Sequence, residues 1–141
     1  MSLEVITKEI SATIESVVEI RKRKIIYASL SKEDLDKVMY VYDKRCGMYS
    51  YDTSFSSRCI GAVMQFGYTK YIDKDGNEQV GLNEIKVFPK YYSYEANRPI
   101  IGSPLEIVDL MRTYYGNEIQ NTSIHQEIKL KIEYYGYIPE D

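Results

Sequence analysis

Hydrophobic and polar residues alternate along much of this chain with the two-residue period of half-buried strands. From Ile10 the run ISATIESVVEI places Ile10, Ala12, Ile14, Val18 and Ile20 on one face if extended, with Ser11, Thr13, Glu15 and Glu19 on the other. A helical reading also fits, because Ile6, Ile10, Ile14 and Val17 form a stripe. The β-branched content favours a long, bent strand continuing to Ala28. Two later runs, CIGAVMQFGYTKYI and QVGLNEIKVF, read as strands joined by DKDGN, where Asp75-Gly76 is a hairpin signal. The first is apolar on both faces, with Ile60, Ala62, Met64 and Phe66 opposite Cys59 and Val63. Such a strand is central, covered on both sides, or part of an interface between copies. In SIHQEIKLKIEYY, Ile124, Ile128, Leu130, Ile132 and Tyr134 face one way, and His125, Glu127, Lys129, Lys131 and Glu133 the other.

Helical spacing appears twice. Ser31 precedes KEDLDKVMYVYDK, with Asp34 at the capping-box position, Leu35, Val38, Met39 and Tyr42 on one side, and Gly47 as a stop. SPLEIVDLMRTYYG predicts a second helix, with Ser103 as N-cap, Pro104 in the first helical position and Glu106 completing a capping box. The resulting order is strand, helix, strand, strand, helix, strand. It predicts an α+β, ferredoxin-like fold: one antiparallel sheet with two helices on one face. No repeat or linker divides residues 1–141, so a single domain is expected.

Composition changes this picture in two respects. Tyrosine occurs 15 times against three phenylalanines and no tryptophan, which suits half-buried surfaces, pocket walls and interfaces. A net charge of −3 argues against general nucleic-acid binding, which needs a basic face. No run is long and apolar enough to span a membrane, and MSLEVITKEI lacks the layout of a signal peptide. The expected compartment is the cytoplasm, that of the host if the gene is viral. Cys46 and Cys59 are too few and too far apart for a disulfide framework or a redox pair.

Catalytic and metal chemistry finds little support. His125 is the single histidine, on the polar side of the last predicted strand, and no nucleophile stands in a recognisable context. One histidine and two cysteines do not make a zinc site. DKDGNE departs from a calcium loop in the place of its glycine and the lack of a distal glutamate. Tyr40 and Lys44 have a dehydrogenase-like spacing without a glycine-rich dinucleotide turn. The expectation is a non-catalytic protein without cofactor or metal; a small hydrolase or transferase using His125 is the remote alternative.

Two stretches stand out for binding. Arg21-Lys22-Arg23-Lys24, between Ile20 and Ile25, offers clustered cations for phosphates or an acidic partner. Its plainer reading is a solvated strand end or turn that discourages edge pairing. In KYYSYEANRPIIGSPLEI, Tyr91, Tyr92 and Tyr94 offer stacking faces and Arg98 a grip on a phosphate, with Asn97 beside it as a further ligand-binding candidate. Its helix start is a poor anion site, because Ser103 and Glu106 occupy the free donors and Pro104 lacks one. Arg58 adds a further isolated cation. The function expected from these residues is sequestration of a phosphorylated, planar, nucleotide-like small molecule by a homo-oligomer, in the manner of a viral or mobile-element accessory protein. A protein–protein inhibitor or adaptor using the same tyrosines is the main rival.

Overall fold

The computed structural model describes residues 2–46, 59–91, 99, 110–113 and 122–138. These form strands β1 (Ser2–Ile20), β2 (Arg23–Ser31), β3 (Cys59–Ile72), β4 (Glu78–Tyr91), β5 (Met111–Thr113) and β6 (Glu127–Ile138), and helix α1 (Lys32–Cys46). The strands make one antiparallel sheet in the order β4-β3-β2-β1-β6-β5. Its five long strands curl into a half-barrel, and 71% of the described residues are in strands.

The ferredoxin-like α+β expectation is therefore overturned. Its first error lies in the run to Ala28, which is not one bent strand but two, folded into a hairpin at Arg21 and Lys22. The second concerns SPLEIVDLMRTYYG. Within it, Met111–Thr113 is β5, paired with Leu130 to Ile132 of β6, while residues 101–109 lie outside the described residues. Helical spacing is a weak prior where a strand edge stands ready to pair. The side chain of Met111 gains burial beside Ile132.

β1 organises the sheet. At about 3.3 Å per residue, its 19 residues span roughly 60 Å, too long for one neighbour. Ser2–Thr13 pair with β6, whereas Ala12–Ile20 pair with β2. A bulge between Ile14 and Ser16 bends the strand and shifts its alternation by one residue. Ile10, Ala12 and Ile14 face the core, as expected, and beyond the bulge Val17 takes the inward position. Val18 and Ile20 turn to the opposite face and are exposed, which splits the apolar row read from the sequence. β3 repeats the device. A bulge between Cys59 and Gly61 buries Cys59 with Ala62, Met64 and Phe66 and leaves Ile60 outside. β3 is central, between β2 and β4.

The concave face holds the core. α1 packs across β1, β2, β3 and β6, burying Leu35, Val38, Met39 and Val41. Ala12, Ala28 and Ala62 sit in the same buried cluster, and their small side chains leave depth for a helix. The start of α1 follows the predicted grammar: Ser31 Oγ accepts from the Asp34 N–H at 3.2 Å and donates to Asp34 Oδ2 at 2.9 Å. On β6, Ile128, Leu130 and Ile132 are buried as the period predicts. Ile124 is exposed, in the turn that precedes the strand.

Candidate functional site

The β1–β2 hairpin reverses through Arg21 and Lys22, closed by the pair Ile20 and Arg23. Arg21 has φ 57, a conformation glycine adopts freely and an arginine adopts at a cost. Positive φ in the first turn residue alone matches a type II′ hairpin, where glycine is the usual choice. Arg21, Lys22 and Arg23 are all exposed, whereas Lys24 is half-buried with its Nζ 3.9 Å from Glu19 Oε1. The Lys70 N–H donates to the Lys22 carbonyl at 2.9 Å, which ties the far end of β3 to the turn.

Beside this turn lies an open groove of about 640 Å³, lined by Val18, Ile20, Arg21, Lys22, Arg23 and Ile25. The register explains its floor. Val18 opposes Ile25, which in turn opposes Gly67, so one row of the convex face steps from two aliphatic side chains to a residue with none. In the next row, Ile20, Arg23, Thr69 and Gly81 lie side by side. A Cβ on Gly81 would meet the Tyr71 ring at 3.4 Å, which places that half-exposed ring over the glycine. Asn83, the extra residue of a β4 bulge, donates from Nδ2 to Thr69 Oγ1 at 2.8 Å. Aliphatic floor and cationic rim thus meet at one end of the sheet, with the Tyr71 ring further along the same face, over β4.

On the other side of this end, Tyr68 points into the core, and burial pushes its phenol far above the usual range. The β3–β4 loop is ordered by Asp73. Its Oδ1 accepts from the N–H groups of Asn77 and Asp75, both at 2.9 Å, and Oδ2 from Gln79 Nε2 at 3.1 Å. The backbone bond from Asn77, with smaller contributions from Gln79 and Asp75, holds the Asp73 carboxyl below its ordinary value.

Arg21 and Arg23 are brought together with an apolar surface, as a binding site requires. Tyr91 is elsewhere: it ends β4 opposite Cys59, half-buried against the core. Arg23 pairs with Thr69 at the opposite end of β3, about 30 Å away at strand rise. Arg58, Tyr92, Tyr94, Asn97 and Arg98 lie outside the described residues. Sequence reasoning missed Val18, Ile20 and Ile25 as site residues, having placed the first two in the core row. It also passed over Tyr71, whose only signal was a tyrosine close to a hairpin turn. His125 stands not in a strand but in the exposed turn before β6, with φ 67. Among the described residues no group of acidic, histidine or cysteine side chains is placed to hold a metal ion.

No family model, curated protein or solved structure matches this chain. No helix among the described residues is long and apolar enough to cross a membrane.

Proposed function

We propose that this chain is a non-catalytic binding protein of the cytoplasm that holds a phosphorylated planar small molecule, of nucleotide type, on the convex face beside the β1–β2 hairpin. The observation that carries the reading is the groove itself, an apolar floor of Val18, Ile20 and Ile25 under exposed Arg21, Lys22 and Arg23. Such a floor accepts the body of a ring, and Tyr71 supplies a π-face further along the same sheet face. Guanidinium groups suit phosphate because their fork of N–H donors bonds two oxygens at once. A local cation cluster on a chain of net charge −3 draws an anion to this end without making the whole protein a polyanion binder. The positive φ of Arg21 fits the same reading, since backbone strain is retained where a side chain is needed.

Titration with a panel of nucleotides, followed by thermal shift and calorimetry, tests this. Stabilisation that grows with ligand concentration is expected. Arg23→Ala should weaken binding at least tenfold. Arg21→Gly should weaken binding while raising stability by about 0.5–1 kcal/mol, because the turn strain is relieved. A panel that leaves the melting temperature unchanged at millimolar ligand overturns the reading.

One observation favours a second reading, a protein inhibitor or adaptor. Ile20 at 64% and Tyr71 at 52% are exposed on the convex face at this same end, and Ile72 at 64% is exposed on the other face. Large exposed side chains of this kind serve as anchors for another protein. That reading expects a stable co-purifying complex and no response to nucleotides.

A further inference from the structure

Among the described residues, β1 leaves part of its edge open. Its pairing with β6 ends at Thr13 and Glu127, apart from two bonds at Ile14. There the Ile14 N–H donates to the Gln126 carbonyl at 2.9 Å and the Ile14 carbonyl accepts from the His125 N–H at 2.6 Å. From Ser16 to Ile20 the strand pairs with β2 on one side and, among the described residues, with no strand on the other. The direction of its backbone groups follows from Ile14, whose N–H and C=O both point away from β2. Its partner Ala28 therefore points toward β3, and Tyr27 and Ile25 point back toward β1. Val18 bonds Ile25 across the hairpin, and Val17 and Glu19 turn their N–H and C=O groups to the open side. An open edge with exposed Val18 and Ile20 along it is a template for another strand.

We infer that this edge pairs with the same edge of a second copy, about a two-fold axis at Val18, to join the two sheets into one. The charges of the edge select both the occupant and the register. Glu15 and Glu19 lie on β1 and Arg21 at the turn, all exposed. No side-chain hydrogen bond or ion pair engages Glu15 or Arg21 among the described residues. In an antiparallel pair of copies centred on Val17, Glu15 faces Glu19 of the second copy, twice. Centred on Glu19, the two Glu19 residues face each other. Centred on Val18, Glu15 faces Arg21 of the second copy, twice, and no like charges are opposed. Opposite charges across a strand pair stabilise it and like charges destabilise it, so of these three registers the Val18 one is favoured. It also sets Val18 beside its own copy and Ile20 beside Ser16, covering apolar side chains now in water. The pairing runs through the backbone edge, and Val18, Ile20 and Arg21 belong to it as well as to the convex-face groove, so the contact borders the proposed ligand site.

The contact is short for a stable interface, and self-association in the micromolar range is expected. Sedimentation equilibrium without ligand should show a monomer–dimer equilibrium. Glu15→Arg alone and Arg21→Glu alone should each shift the dissociation constant upward at least tenfold, and the double variant should restore it. Two copies of residue 18 would form a pair without mutual hydrogen bonds, with Cα atoms about 4.5 Å apart, within disulfide reach. Val18→Cys should therefore crosslink under air and Ile20→Cys should not. In the unaltered protein, the Val17 and Glu19 amides should exchange more slowly at high concentration than at low; this reading needs no variant to fold. A wild-type monomer at about millimolar concentration, at which a micromolar contact is saturated, overturns the inference. So does a dimer insensitive to both charge reversals, a double variant that stays monomeric, or crosslinking through position 20 rather than 18. Because Glu15 is not among the groove-lining residues, Glu15→Arg separates loss of the dimer from loss of ligand binding.

Discussion

The phenol of Tyr68 lies 5% exposed on the concave face, opposite Lys24 on β2 and Leu82 on β4. Burial raises its pKa above that of a free tyrosine, because the phenolate would lose its hydration. The sign follows directly. Below about pH 10 the phenol is neutral in both folded and unfolded chains and contributes no pH dependence. Above that, the unfolded chain releases the proton while the folded chain keeps it, so stability falls as pH rises toward the folded pKa. Tyr68→Phe should therefore flatten the decline above about pH 10 by close to one proton, or about 1.4 kcal/mol per pH unit, as measured by urea unfolding across that range. Arg21 is a residue-scale anomaly of another kind: a φ of 57 marks a position where side chain and backbone preference conflict.

At the scale of elements, the start of α1 and the bulges carry the argument. Ser31 caps the helix through the Asp34 N–H, and Glu33 and Asp34 in the first turn oppose the positive end of the helix dipole. Ser31→Ala should cost about 1 kcal/mol, read as a lower urea midpoint at unchanged slope. The bulges in β1 and β3 decide which faces their apolar rows serve. Gly61 shows how tightly one is built, because a Cβ there would lie 2.6 Å from the Leu30 carbonyl oxygen. That close approach makes the residue necessary to the β2–β3 pairing.

Across the whole molecule, the row Val17, Ile26, Phe66 and Ile85 runs through four neighbouring strands. Phe66 is fully buried in the middle strands of that row. Phe66→Ala should cost about 3–5 kcal/mol, a large share of the roughly 5–15 kcal/mol that holds a domain together. Equilibrium unfolding of the variant should begin at markedly lower denaturant, with helix and sheet signals lost together because α1 rests on the same core.

Several features were legible in the sequence. α1 and its cap came from a local side chain meeting a local N–H group. The β3–β4 hairpin came from Asp75-Gly76, and Gly76 has φ 82 as such a turn requires. The buried rows of Ile10, Ala12 and Ile14, and of Ile128, Leu130 and Ile132, came from strict alternation. Each depends on residues close in the chain. The partner change of β1, the strand at Met111–Thr113 and the bulges of β1, β3 and β4 depend on which edge lies beside which, and alternation carries no record of that. A bulge inserts one residue into a ladder whose partner is distant in sequence, and it moved Val18 and Ile20 from an expected core to an open groove. The arginines of the candidate site were therefore visible in the chain, and the surface beside them was decided by tertiary pairing.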